Sequence, residues 1–240
     1  MKPRSERAMK RITRSRLSTF QSRILRWFDS HGRMLPWRRP RQTVYRMIVS
    51  EVLLQRTRAE AVGELYSTFF GLYPSWASLA RARRSDLVSI LRPLGLWRRR
   101  VDVLIKLAKS IRKRNGRLPS SRREIEDLPG IGQYIANAIE LIGFGTPRPL
   151  LDVNMARVLE RYFGPRVLAD IRYDPYLLDL AQRIVESDKS LSLNWAVLDL
   201  GAMVCTSRSP KCPNCPLHRG CKYAKSISAQ SVVSILPPEE

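Results

Sequence analysis

Leu128-Pro129-Gly130-Ile131-Gly132 separates two stretches of helical period, residues 121–127 ahead of it and Gln133–Phe144 behind it. Glycines at 130 and 132 permit backbone angles closed to other residues and let the chain approach a ligand closely. The turn opens onto the second helix, whose free N–H groups and positive dipole end suit a phosphate. A phosphate held by backbone alone carries no base information, so such a contact would be blind to sequence. An ordinary helix-turn-helix corner is the plain alternative, and the rest of the chain must decide between them.

The helical period continues on both sides of this turn. Phe20, Ile24, Trp27 and Phe28 share one face of a helix running from Leu17 to a stop at Gly32. Met34-Leu35-Pro36-Trp37 reads as an extended linker, because the residue before a proline avoids the α region. Val44, Ile48, Val52 and Leu53 begin a long second helix. Further helices are expected over 59–72, 76–82, 85–93 and 98–115, and then over Asn154–Phe163, Tyr176–Ser187 and Leu193–Ala202. There are no hairpin signals, alternating runs or internal repeats. The fold class is therefore all-α.

Charge separates the two readings of the turn. The 240 residues carry 43 Lys+Arg against 21 Asp+Glu, a formal +22, and a field of that sign draws in a polyanion. A hydrophobic content of 44% with five Trp leaves ample material for a core, which sets the chain apart from a merely soluble basic protein. Helix, Leu-Pro-Gly-Ile-Gly, helix in so basic a chain points to DNA. No apolar run is long enough to span a bilayer, and a membrane partner is not expected. Residues 1–16 hold seven basic residues against Glu6 alone. They read as a tail adding phosphate contacts, with a mitochondrial address as the alternative. All four cysteines fall between Cys205 and Cys221, which reads as a metal site in a reducing compartment. Their C-x6-C-x2-C-x5-C spacing fits zinc or an iron–sulfur cluster equally well.

Several segments together resemble the endonuclease III, or helix-hairpin-helix, superfamily of base-excision DNA glycosylases. Leu128–Ile139 is similar to its hairpin and following helix, and Leu151-Asp152-Val153-Asn154-Met155-Ala156-Arg157 to the segment bearing its essential aspartate. Cys205, Cys212, Cys215 and Cys221 match its iron–sulfur loop, and His31-Gly32-Arg33, Leu35-Pro36-Trp37-Arg38 and Ser50–Thr57 resemble two subgroups. One of these removes adenine opposite 8-oxoguanine, the other thymine or uracil mispaired with guanine. The match runs from about 17 to 225. The resemblance implies a two-lobed fold: a helical barrel over 40–149 containing the hairpin at about 121–144, and a cluster domain joining 17–39 to 150–225, with a tail over 226–240. It also implies a [4Fe–4S] cluster on the four cysteines, with Arg208, Lys211, Arg219 and Lys222 forming a basic surface beside it. Its partner would be double-stranded DNA with a mispaired or damaged base, met by a monomer in the cytoplasm or nucleoid, a nucleus or mitochondrion staying open.

Cleaving an N-glycosidic bond leaves positive charge on the sugar and negative charge on the departing base, so a carboxylate beside one and a donor beside the other are required. The resemblance assigns Asp152 to the sugar, in the groove between the lobes, with Asn154 as its hydrogen-bonding neighbour. It makes Glu51 the proton donor to the base or the residue that orders water; Glu51 also stands in an apolar helical stretch, where an unpartnered carboxyl is costly. Tyr134 occupies the position where bifunctional relatives place a lysine that forms a Schiff base, and a phenol cannot form one. Base removal without efficient strand cleavage follows. Trp37 and Arg38 would serve as wall and donor of the base pocket. Gln55 and Arg56, with Gly130, Gly132 and Gln133, would contact DNA, Arg56 filling the gap left by the flipped base. The adenine subgroup usually has Gly-Tyr-Tyr where this chain has Gly95-Leu96-Trp97, favours Asp-Gly-Asn over Asp152-Val153-Asn154, and carries a further domain where 19 residues follow Cys221. The sequence thus leans to thymine or uracil opposite guanine, with an adenine glycosylase and a non-catalytic DNA-binding module as alternatives.

Overall fold

The computed structural model describes residues 12–233, the side chains of 228–233 excepted. Twelve α-helices and no strand occur among the described residues, so the molecule is all-α. No helix among them is long and apolar enough to cross a membrane. The helices are α1 (Arg14–His31), α2 (Val44–Leu54), α3 (Ala59–Leu72), α4 (Trp76–Ala80), α5 (Arg84–Leu91), α6 (Trp97–Lys113), α7 (Arg122–Glu126), α8 (Gln133–Phe144), α9 (Val153–Phe163), α10 (Pro175–Val185), α11 (Ser190–Met203) and α12 (Lys222–Val233). They form two compact units, one of residues 34–146 and one that joins the N-terminal segment through Arg33 to everything from Pro147 onward.

The unit over 34–146 is built around α8. Residues Ile135–Leu141 of that helix are all buried, as a helix without a polar face must be. Ile48, Val52 and Leu53 of α2, Phe69 of α3, Leu79 of α4, Leu104 and Leu107 of α6 and Ile125 of α7 complete the same core. Trp37 belongs to it too, packed against Tyr66 with ring centroids 6.1 Å apart. Residues 34–39 therefore lie with this unit and not with α1, contrary to the sequence reading. Nor is the linker extended throughout: Pro36 opens a 3-10 turn over Pro36–Arg38, where its missing N–H costs nothing.

In the other unit the apolar stripe of α1 sets Phe20 against Tyr162 and Phe163 of α9, at 5.1 and 5.3 Å between ring centroids. Helix α1 starts inside the expected basic tail because the Thr13 side chain caps the Arg16 N–H at 3.2 Å. Arg16 then donates to the carbonyls of Tyr162 (2.8 Å) and Gly220 (3.2 Å), so it serves the fold instead of a tail. Residues 1–11 of that tail lie outside the described residues, as do 234–240 of the C-terminal one, whose first part is helical in α12. Just past α1, Arg33 donates its backbone N–H (2.8 Å) and Nε (2.7 Å) to Asp199, whose carboxylate is fully buried on α11.

Candidate active site

The 34–146 unit supplies the hairpin, Glu51, Tyr134 and the Gln55–Arg56 turn. At the hairpin only Gly130 is held by conformation, at φ +75°, and a Cβ there would stand 2.6–2.7 Å from the Val103 methyls. Gly132 departs from the expectation: its φ of −100° and ψ of 177° are open to any residue, and a Cβ there would meet nothing within 4 Å. Gly132 is the N-cap of α8 and brings no side chain to the first N–H groups of that helix. The space in front of those donors is open, and Gln133 beside them is exposed. The flanking helices are locked by Arg122, which donates from Nη1 to Asn137 Oδ1 (2.6 Å) and Glu140 Oε2 (2.5 Å) on α8 and from Nε to Glu126 on α7 (2.7 Å).

Glu51, on the inward side of α2, is 4% exposed. The Tyr134 hydroxyl on α8 donates to its Oε2 at 3.0 Å, a pairing that nothing in the sequence announced. Tyr134 is half-buried. Beyond the end of α2, Gln55 and Arg56 are exposed, and Arg56 takes the left-handed φ of +55°. Trp37 is only 2% exposed, so most of its ring serves the core, while Arg38 is half-buried.

The second unit supplies Asp152, Asn154 and the cysteines. Asp152 is the N-cap of α9: its Oδ1 accepts the Asn154 and Met155 N–H groups, both at 2.8 Å, and its Oδ2 accepts Asn154 Nδ2 at 2.8 Å. Burial raises the pKa of this carboxyl above its ordinary value, against the opposing pull of those hydrogen bonds and of Arg157. Arg157 continues the chain of contacts. It donates from Nη2 to Asn154 Oδ1 (2.8 Å) and the Gly201 carbonyl (2.7 Å), and from Nε to the Cys205 carbonyl (2.7 Å). Gly201 has to be small here, because a Cβ would lie 2.8 Å from that of Asn154. The carboxylate is thus tied through two side chains to the first cysteine of the loop.

Cys205, Cys212, Cys215 and Cys221 are free and half-buried, strung between α11 and α12 through 3-10 turns at Cys212–Asn214 and His218–Gly220. One turn along α9 from Arg157, Arg161 donates to Cys205 Sγ (3.4 Å) and to the carbonyls of Thr206 (2.7 Å) and Ser207 (2.9 Å). Cys221 Sγ donates to the Arg161 carbonyl at 3.2 Å. Burial, reinforced by the other three cysteines, pushes the Cys215 thiol up to about 11. Burial, then Cys221 and Cys205, raise Cys212. Among the described residues no group of three or more His, Cys, Asp or Glu stands as a site for a single metal ion.

The chain is similar to known proteins. A family model described as "HhH-GPD superfamily base excision DNA repair protein" matches residues 49–169. The chain is 37% identical over 217 residues to a thymine-DNA glycosylase of Aeropyrum pernix, covering 88% of this chain and 97% of that protein. It is likewise 37% identical over 203 residues to a thymine/uracil-DNA glycosylase of Pyrobaculum aerophilum, covering 82% and 88%. The solved structure of a thermostable thymine-DNA glycosylase matches with a TM-score of 0.80 at 31% identity, over 88% of this chain and 97% of that one.

Proposed function

The chain belongs to the HhH-GPD superfamily of base excision DNA repair proteins and is a DNA glycosylase, and from that premise we propose that it removes thymine or uracil mispaired with guanine without efficient strand cleavage. Tyr134 carries the second half of this reading. Its position offers a phenol hydroxyl, already given to Glu51 at 3.0 Å, where strand cleavage would need an amine able to form an imine with the sugar. The first half rests on the named activities of the similar proteins and on Arg56, exposed where a side chain can occupy the gap left by an extruded base. A mispaired guanine holds its partner weakly, which lowers the cost of extrusion.

In this reading the hairpin N–H groups at Gly132–Tyr134 bind a backbone phosphate and fix the protein on double-stranded DNA as a monomer. The bond between sugar and base breaks with its electron pair leaving on the base, which takes a proton. Asp152, as carboxylate, offsets the positive charge on the sugar and accepts a proton from the water that attacks it. Glu51, held by Tyr134, orders that water or protonates the base. Asn154, its amide fixed by Arg157, aims Nδ2 at Asp152 Oδ2.

The cysteine loop suits a [4Fe–4S] cluster held by Cys205, Cys212, Cys215 and Cys221. Burial and the neighbouring cysteines raise the pKa of Cys212 and Cys215, so these thiols need a cationic centre to ionise, and no disulfide engages any of the four. Such a cluster supplies structure and a basic DNA-facing loop, since hydrolysis of the bond moves no net electron. A panel of mispaired duplexes, incubated with the protein and then treated with alkali, tests the reading. Cleavage at G·T and G·U sites only after alkali is expected. Release of adenine opposite 8-oxoguanine, with none from G·T or G·U, overturns the preference.

A further inference from the structure

We propose that Arg100 is a positioning residue that fixes the Gln55–Arg56 turn for entry into the duplex, an inference that rests on the glycosylase reading above. Arg100 lies on the inner face of α6 and is 6% exposed, the one arginine among the described residues that is buried. Its guanidinium reaches four acceptors in one short segment. Nη1 donates to the carbonyls of Val52 (3.3 Å) and Leu53, and Nη2 to the carbonyl of Gln55 (3.2 Å) and to Thr57 Oγ1 (2.8 Å). The last carbonyls of α2 have no helical partner, and a planar five-donor fork is suited to gathering several of them at once.

Between those acceptors stands Arg56, in a left-handed conformation that only a constrained turn holds for a residue with a side chain. The Arg100 fork therefore grips this strained, outward-facing turn on both sides of Arg56, at the Gln55 carbonyl and the Thr57 hydroxyl. A side chain that displaces a stacked base must push from a rigid base of its own, otherwise the insertion also bears the cost of ordering the turn.

The test compares wild type with Arg100→Met and Arg56→Ala, using single-turnover release of uracil from a G·U duplex and from the same uracil within an unpaired bubble. Base extrusion is followed by 2-aminopurine placed beside the uracil. Arg100→Met should release uracil from the duplex about tenfold more slowly, with a weaker fluorescence rise, and should match Arg56→Ala in keeping near-normal release from the bubble, where little extrusion is needed. Equal losses on both substrates, or none on the duplex, overturn the assignment. Should Arg100→Met fail to fold, Arg100→Lys decides, since it keeps the charge but cannot span the four acceptors. A duplex-selective loss supports the proposal and an unchanged duplex rate overturns it. Wild-type protein inactive on both substrates would overturn the glycosylase reading instead.

Discussion

Asp152 is pulled two ways, since burial favours its protonated form while three hydrogen bonds and Arg157 favour its charge. Burial prevails and the folded-state pKa is raised. A carboxyl in that state holds its proton longer in the native protein than in the unfolded chain, so its charge erodes stability as pH rises through the window above about 4. An amide has no such penalty and is an equally good N-cap. Asp152→Asn should therefore gain stability relative to wild type as pH is raised from about 4 to 7, read from denaturant midpoints, whatever the offset at the acid end. A difference that is flat with pH would remove the buried charge from the account. The same variant should bind DNA while losing at least about a hundredfold in excision, because a neutral amide cannot balance the cationic sugar. Tyr134 offers a second separation. Tyr134→Phe withdraws a hydrogen bond to a buried carboxylate and should slow excision roughly tenfold. Borohydride should trap little covalent complex with either protein, and abundant trapping with wild type would refute the monofunctional reading.

At the scale of elements, the two hairpin glycines differ: Gly130 serves the fold, and Gly132 serves DNA binding only in the proposed reading. Gly130→Ala must place a Cβ at positive φ and against Val103, and should lower the unfolding free energy by about 2 kcal/mol or more. Gly132→Ala meets neither obstacle and should stay within about 0.5 kcal/mol of wild type, while weakening DNA binding. Equal destabilisation by both would mean that Gly132 also serves the fold. The cysteine loop makes its own claim at this scale: anaerobically purified protein should be brown with about four iron atoms per chain, and stoichiometric zinc without iron would reject the cluster. Hairpin, cysteine spacing and the Asp152 segment were legible in the sequence because each is a local pattern, complete within a few residues. The arginines that hold these elements were not. Arg100, Arg122, Arg157 and Arg161 find their partners between 3 and 48 residues away, several of them main-chain carbonyls, and in a chain of net charge +22 each reads as one more phosphate ligand. The Glu51–Tyr134 pair was missed for the same reason, its two halves being individually visible and 83 residues apart. Gly132 was over-read: its type suggested a special backbone angle, whereas its conformation is ordinary and only the space before it is special.

For the molecule as a whole, the cations occupied in folding are not available to DNA, and they can be subtracted by inspection. Arg100, Arg122, Arg157 and Arg161 are engaged inside the fold, and Arg83, Arg114 and Arg166 pair with carboxylates nearby. The remainder of the 43 Lys+Arg still exceeds the acids by a wide margin, so association with DNA should be dominated by phosphate contacts and counterion release. The logarithm of the binding constant should then fall linearly with the logarithm of salt concentration, with a slope of about −0.9 per phosphate neutralised. Gly132→Asp places a negative charge where the proposed reading seats a phosphate, and should weaken matched and mispaired duplexes alike while making the slope shallower by about one phosphate's worth. Removing an internal cation such as Arg122 should leave the slope unchanged even if the protein becomes less stable, because that guanidinium is spent on Asn137, Glu126 and Glu140. Titrations of wild type and the two variants at several salt concentrations, each on a matched and a G·T duplex, separate these terms. A loss confined to one duplex in Gly132→Asp would mean that the hairpin reads bases, and a shallower slope in an Arg122 variant would mean that the hairpin helices, not their N–H groups, carry the contact.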